Sequence, residues 1–525
     1  MKKLGLILAA GLIILSFAAC GRSAQDQGVV FRYNNGTEIE SLDPHVIEGV
    51  PEHNVYMALF EGLTTYDPKT CAAIPGLAES WESTNDNLTL TFRLRRNAVW
   101  SDGTPITADT VVQSWLRILN PDTAAVYGYL PAMIIKGGED YLNGLAGPEA
   151  VQIRALDPYT FQFDLTGPAP YAVDMLSHYS FGVVPIHVIE KYGSEWIKPE
   201  NFVSNGPFKL DTYVLHDRLE AVKSDTYWDK DNVGIDRLII YPIEDENTGL
   251  QMYREGTLDW IELVPNALLD EMTQDKGYHI APAFTSYYYE VNHTVAPYND
   301  VRVRKALALA LDRREIVEMI TRGGQIPAYG LTPPLPYYPE VISFQEDVEE
   351  AKRLLAAAGF PNGRGFPVMN VIYNTNEAHR LIAEYVQQRW QQTLGIQVTI
   401  ENQEWATFLD NRQNQDFHVA RAGWQGDFVD PASFLVDLLH SASSNNDGRY
   451  KNPRFDELLA QASQMPNGEP RMDVLRQAET LAIGTDFAVI PFYYYTRTNW
   501  IDTEVWDGWF TNILDVHNPK FIKKR

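Results

Sequence analysis

Arg421-Ala422-Gly423-Trp424-Gln425-Gly426-Asp427-Phe428-Val429-Asp430-Pro431 is the stretch on which the architecture of this chain is decided. Phe417, Val419 and Ala422 lead into it with the spacing of a strand, and Pro431 closes it, since proline has no N–H to give to a ladder. The expectation is a strand, Phe417 to Ala422, that gives out into a loop. That loop gathers a carboxylate for a cation, a guanidinium for an anion, a tryptophan wall and two glycines that let another backbone come close.

Outward from there the texture is alternating. Asn299-Asp300 caps a predicted helix from Val301 to Ile320 that stops before Gly323-Gly324, and a second helix runs from Glu346 to Ala358. Strand Val368 to Tyr373, helix Glu377 to Gln392, strand Ile396 to Ile400 and helix Trp405 to Asn411 then lead to the opening stretch. This order predicts an α/β domain with a mixed or parallel sheet, in which ligands lie beyond strand ends. A last helix, Arg471 to Ile483, feeds strand Val489 to Tyr495, which is expected to return to the first domain. Upstream, Val29 to Tyr33 is β-like, Leu42 to Pro51 is a loop suited to binding, and Asn54 to Phe60 is helical. Leu88, Leu90, Phe92 and Leu94 alternate as a half-buried strand, and a helix runs from Thr107 to Leu119. Strands are expected at Tyr159 to Leu165 and Lys209 to Lys223, with a helix at Ile186 to Tyr192 between them, so this half is α+β.

The chain's 525 residues exceed one core and imply two or three domains. With 45 % hydrophobic and 21 % charged residues it is an ordinary globular composition. A net charge of −26 excludes a nucleic-acid partner, and Lys520 to Arg525 is expected to be a solvated tail. Lys2 and Lys3, the apolar run Leu4 to Phe17 and Ala18-Ala19-Cys20 form a secretory leader ending at a lipidation cysteine, although Phe17 stands where such sites commonly carry Leu. With Cys20 acylated, Cys71 has no disulfide partner and is expected to be a small buried hydrophobe. No HExxH, GxSxG, CxxC, Walker or GxGxxG pattern occurs, and eleven His lack metal spacing, so neither cofactor nor metal is expected. Asp427 with Asp430, and Asp43 with Glu48, are the carboxylate pairs a glycosidase reading would use; structural carboxylates far outnumber such pairs.

Ser41-Leu42-Asp43-Pro44-His45, Glu48-Gly49-Val50-Pro51-Glu52, Phe60-Glu61-Gly62-Leu63, Trp100-Ser101-Asp102-Gly103-Thr104-Pro105, Asn205-Gly206-Pro207-Phe208, Tyr287-Tyr288-Tyr289-Glu290-Val291-Asn292, Asn402-Gln403-Glu404-Trp405 and Val419 to Trp424 together resemble the family 5 extracellular solute-binding proteins. These are receptors of ABC importers for oligopeptides, dipeptides and nickel chelates. The resemblance spans nearly all of the chain after the leader. It implies an α/β, two-lobed periplasmic-binding-protein fold (type II, cluster C) with an extra α+β domain on the first lobe. The division it implies is leader 1–19, lipidated tether 20–28, lobe I from 29–60, 185–284 and 496–525, extra domain 61–184 and lobe II 285–495.

The same resemblance implies a short peptide held extended between the lobes through its backbone and termini, and delivery to ABC permease subunits by a lipid-anchored monomer. Asp427 matches the carboxylate for the ligand's α-ammonium. Glu48, Gly49 and Val50 match a loop along the ligand backbone, with Gly423 and Gln425 opposite, and Trp405 and Trp424 match pocket walls. Tyr127 and Tyr129 both lie in the region of a pocket tyrosine, and spacing does not choose between them. Arg412, Arg421 and His379 match cations used for the ligand's carboxylate. Thr321 stands where some relatives carry a lysine for that purpose, and Thr285 and Gln425 where some have a disulfide. The rival readings are a family member for a dipeptide, a murein peptide or a nickel complex, and a hydrolase.

Overall fold

The computed structural model describes residues 28–47, 49–265, 268–335, 337–443 and 445–525, leaving aside the side chains of 377, 405 and 406. The expected leader, Cys20 and Glu48 lie outside the described residues.

Alternation at Phe31 and Tyr33 turns both rings inward and makes β1 (Val30–Asn34). Helix α1 (Val50–Leu59) begins after Gly49, with Pro51 in its first turn, where a missing N–H costs nothing. A separate antiparallel sheet follows, built from β2 (Ala78–Thr84), β3 (Thr89–Leu94), β4 (Ile153–Asp157) and β5 (Thr160–Asp164) in the order β2-β3-β5-β4. Helix α2 (Ala108–Leu119) is capped by the Thr107 hydroxyl and lays Trp115 edge-on against Phe161 and Phe163, at 4.9 and 5.2 Å.

The main sheet takes in β6 (Phe208–Val214), β7 (Arg218–Lys223), β8 (Arg237–Tyr241), β9 (Trp260–Ile261) and the long β10 (Tyr278–Val291). After α3 (Val301–Leu309) and α4 (Val348–Ala357) come β11 (Met369–Asn374), α5 (Glu377–Leu394), β12 (Val398–Gln403), α6 (Trp405–Gln413), β13 (Val419–Gln425), α7 (Ala432–Leu439) and β14 (Val489–Ile501). Their order is β12-β11-β13-β10-β14-β9-β1-β8-β7-β6, and Ile326–Pro327 adds an eleventh strand on β14. β11 is parallel to β12 and β13, while β10 is antiparallel to β13 and β14, so the sheet is mixed. Trp390 of α5 locks the helices over one half by donating to the Leu307 carbonyl at 3.0 Å.

β10 and β14 pair along two separate stretches. Ser286 to Glu290 pair with one half of β14 and Tyr278 to Pro282 with the other, and the register breaks between Pro282 and Ser286. At the break Phe284 leaves the ladder and gives its N–H to Ile513, in the C-terminal segment, at 2.8 Å. Two strands with an interrupted ladder are the covalent connection across the middle of the molecule.

Four expectations change. β13 does not stop at Ala422 but runs through Gln425, because Gly423, Trp424 and Gln425 keep pairing with Tyr287, Ser286 and Thr285. The expected helix Val301 to Ile320 breaks after Leu309: the Asp312 side chain accepts the Glu315 N–H and starts a fresh turn that continues π-helically through Thr321. β14 continues past Tyr495 to Ile501 because Thr496 to Trp500 find partners in the first half of β10. Lys520 to Arg525 is no solvated tail. The Lys520 ammonium is buried 3.2 Å from Glu61, whose carboxylate also receives Tyr227 and Trp228 and needs a positive charge.

Candidate functional site

The end of β13 and the start of α1 meet across a cavity of about 300 Å³. Gly49 and Val50 line one side, Trp424 to Asp427 the other, and Leu514 and Val516 of the C-terminal segment contribute from behind. Gly49 has φ 103°, left-handed backbone that a side chain would strain. Gly426 is needed for space, since a Cβ there would fall 2.3 Å from the Phe284 ring.

Asp427 is half-buried at this cavity. Its N–H goes to the Ser433 hydroxyl at 3.0 Å, and Ser433 donates onward to Asp437 at 3.3 Å. Tyr129 donates its hydroxyl to the Asp427 carboxylate at 3.3 Å. Burial pushes the Asp427 carboxyl up to about 7, with the Tyr129 hydrogen bond pulling the other way. Burial, and then the charge of Asp427, raise Asp437 well above the carboxylate range. Among the described residues no cation is ion-paired with Asp427. The arrangement is a carboxylate that lacks a positive charge and faces a cavity.

Tyr127 and Tyr129 divide the region between them. Tyr129 holds Asp427, whereas Tyr127 lines the cavity and packs on His178 and Tyr179 at 5.2 and 5.4 Å. Trp424 also lines the cavity, with its indole N–H buried and without a partner. Gly423 faces Tyr287 of β10, and the exposed Gln425 accepts from Arg497 at 2.9 Å. Trp405 opens α6.

The three candidate cations differ in environment. Arg421 projects from β13 to Tyr495 at 3.0 Å and Asn374 at 3.4 Å, over the face of Tyr287 at 4.9 Å, and its Nε has no partner. No carboxylate among the described residues is ion-paired with it. His379 lies in the first turn of α5, its ring 5.5 Å from that of Tyr287. Burial and the Arg421 charge push its imidazole down to about 3, so only Arg421 is charged there. Arg412 is already neutralised by Glu290 at 2.9 Å and Asp447 at 3.1 Å.

His53, Tyr66, His178, Tyr179, Leu514 and Val516 also line the cavity and carried no signal in the sequence. They arrive from four separate segments, so no local pattern in the sequence joins them. Among the described residues no helix is long and apolar enough to cross a membrane.

Two lobes sharing one mixed sheet, an added antiparallel domain and a ring-lined cavity with a carboxylate, where α1 meets the end of β13, define a binding protein of the periplasmic type. The profile described as bacterial extracellular solute-binding proteins, family 5 middle, matches residues 72–446. The periplasmic oligopeptide-binding protein OppA of Salmonella typhimurium is 39 % identical, the match covering 96 % of this chain and 95 % of that one. The periplasmic murein peptide-binding protein MppA of Escherichia coli is 35 % identical over 88 % of this chain and 86 % of its own. The structure of Haemophilus influenzae OppA in complex with RPPGFSPFR superposes with a TM-score of 0.79 at 34 % identity, covering 95 % of this chain and 99 % of that one. The chain belongs to the family 5 extracellular solute-binding proteins.

Proposed function

We propose that this protein captures short peptides in extended form between its lobes, by backbone and terminal contacts and without chemistry, and delivers them to an ABC permease. The observation that carries the reading is Asp427: a carboxyl held near neutrality by burial, with no cation paired to it among the described residues, facing Gly49 and Val50 across a cavity. A peptide's α-ammonium supplies the missing charge. The relatives OppA and MppA, named for oligopeptide and murein-peptide binding, support the ligand class.

Arg421 is the charge for the ligand's carboxylate, since it is buried, stacked and free of any ion-paired carboxylate among the described residues. Thr321 is occupied with Gln325 at 2.8 Å, and the neighbouring Arg322 with Asp270 at 2.8 Å. The break in the β10 ladder between Pro282 and Ser286 supports dividing lobe I (29–60, 185–284, 496–525) from lobe II (285–495), and the separate four-stranded sheet supports an extra domain at 61–184. The leader pattern supports a lipid anchor on Cys20, holding a monomer at the outer face of a membrane.

Calorimetry with Ala-Ala-Ala and its N-acetylated form tests the reading. Only the free-amine peptide should bind tightly, and Asp427→Asn should remove most of that affinity. Equal binding of the two peptides would refute it. Native mass spectrometry of the purified protein separates a peptide from a nickel complex, and recovery of intact peptide after incubation excludes a hydrolase.

A further inference from the structure

The cavity at Asp427 carries more information than an amine anchor requires. The rings of His53, Tyr66, Tyr127, His178 and Tyr179 wall it, together with the indole of Trp424. The His53 ring lies 5.8 Å from Tyr66, 5.7 Å from His178 and 5.4 Å from Tyr179, the last two contacts edge-on. Rings in this arrangement leave edges and faces for one more ring, which prefers tilted or offset contact. At about 300 Å³ the space is at the low end for a ligand pocket and suits a single side chain.

Polar demand in the cavity is specific. The Nε2 of His53 is buried and has no partner among the described residues, and the indole N–H of Trp424 is in the same state. His178, by contrast, is committed through Nδ1 to Ser180 at 2.9 Å. Burial pushes the His53 imidazole down to about 4, so it is uncharged at neutral pH, and holds that of His178 well below its ordinary value. A neutral imidazole nitrogen can accept a hydrogen bond from a hydroxyl, and an indole N–H can only donate, as to a peptide carbonyl.

Charge count then separates the ligands a ring cage could take. Rings attract cations as well as other rings. Among the described residues Asp427 is the one carboxylate lining the cavity, and on the reading above it is used by the α-ammonium. Burial, and then the charge of Asp427, raise the Asp437 carboxyl well above its ordinary value, and Asp437 is not part of the cavity lining. A lysine or arginine side chain entering here would be a second positive charge with no counter-charge, which is costly in a buried site. An aromatic ring with a hydroxyl at its tip meets the rings with a ring and the unpartnered imidazole nitrogen with a donor.

We propose that His53 is a specificity-determining residue: with the surrounding rings it selects peptides whose first side chain is aromatic with a polar tip, tyrosine ahead of phenylalanine. The inference rests on Asp427 as the amine anchor, because the first side chain branches one atom away from that amine and must enter the same cavity.

The test is calorimetry of X-Ala-Ala tripeptides with X as Tyr, Phe, Leu, Lys or Ala, on the wild type, His53→Phe and His53→Gln, with each variant's fold checked by its circular dichroism melt. The wild type should bind Tyr about three- to tenfold more tightly than Phe, the worth of one net hydrogen bond, with Leu, Lys and Ala weaker. His53→Phe should bind Tyr and Phe alike, and His53→Gln, which keeps a polar group, should restore part of the difference. Should a variant fail to fold, the wild-type ranking decides alone. Five equal affinities, lysine as the tightest ligand, or a tyrosine preference that survives in His53→Phe would each overturn the inference and leave the peptide-receptor reading standing. No binding of any of the five would overturn both.

Discussion

The hydroxyl of Tyr129 donates to the carboxylate of Asp427 at 3.3 Å, joining residues 298 positions apart. The bond is made from the segment that carries the extra α+β sheet to the end of β13, so it spans the two sides of the cavity. It favours the ionised form of Asp427 against the larger effect of burial, which is the form that attracts an ammonium. Tyr129→Phe should therefore weaken binding of a free-amine tripeptide about three- to tenfold, the net worth of one hydrogen bond. The N-acetylated peptide should show no change. Isothermal titration on both ligands decides it.

Affinity should depend on pH with a definite sign. The Asp427 carboxyl sits near 7 when no ammonium is present, so below 7 it must release a proton to bind one. Affinity should fall about tenfold for each pH unit below 7, and also above about 8, where the peptide amine itself loses its proton. Without ligand the linkage runs the other way. The folded protein holds this proton between the ordinary carboxyl value of 3.8 and about 7 while the unfolded chain does not, so Asp427 lowers stability as pH rises through that window. A titration of Kd from pH 5 to 9 that is flat for a free-amine tripeptide contradicts both statements.

Glu61 and Lys520 tie the C-terminal segment to the stretch that follows α1, in a site with 3 % and 5 % of their surfaces exposed. Their ion pair at 3.2 Å is completed by Tyr227 and Trp228, each donating to Glu61 at 2.5 Å. Removing Glu61 leaves Lys520 with Asp229 alone, at 3.5 Å, a loss of up to about 3–5 kcal/mol. Glu61→Ala should lower unfolding free energy by that amount in urea titration. Adding Lys520→Met should recover part of the loss, since the under-compensated charge is gone.

Much of the architecture is legible in the chain, and the exceptions share a cause. The strand announced from Leu88 to Leu94 and the Asn299-Asp300 cap before Val301 are local signals and form where they read, but Thr89 and Thr91 are buried as well, so that strand is covered on both faces instead of half-buried. The ends of β13 and β14 are set by partners elsewhere: Trp424 reads as loop but is held straight by Ser286, and Thr496 by Pro282. The early end of α3 depends on the Asp312 side chain competing for a backbone N–H. Lys520 looks like tail until Glu61, more than four hundred residues earlier, claims its charge. In the site, Asp427 and Trp424 stand out by residue type and context, and both reach the cavity. His53 and Tyr179 do not, because only the folded chain brings their rings together.

Thr285 and Gln425 face each other on β10 and β13. The adjacent pair is bonded, Gly426 N–H to Phe284 carbonyl at 2.8 Å, so Thr285 and Gln425 form the unbonded pair of the ladder. Such partners have Cα atoms about 4.5 Å apart, within the range a disulfide spans. Thr285 is 8 % exposed and its hydroxyl is buried without a partner, so little is lost by replacing it. The double variant Thr285→Cys with Gln425→Cys should oxidise spontaneously and gain about 2–4 kcal/mol over its reduced form. Free-thiol titration and melts with and without reductant check this; two titratable thiols beyond Cys71 in the oxidised sample would show that the geometry is wrong.

Arg412 on α6 and Arg421 on β13 lie close in sequence, yet replacing them should have opposite signatures. Arg412 is balanced by Glu290 and Asp447, and Glu290 reaches only about 7 because Arg412 opposes its burial. Arg412→Met leaves two buried carboxyls without a cation, so the loss should appear first as stability, about 3–5 kcal/mol at neutral pH, and shrink as pH falls and both protonate. Arg421 balances no carboxylate among the described residues and is held by Tyr495, Asn374 and the Tyr287 ring. Arg421→Met should therefore cost less stability but weaken a free-carboxylate tripeptide about a hundredfold or more, while a C-terminally amidated peptide binds variant and wild type alike. His379, already uncharged, should change affinity only slightly as His379→Gln. If the amidated and free-acid peptides lose equally on Arg421→Met, the arginine supports the fold of the cleft and does not receive the ligand's carboxylate.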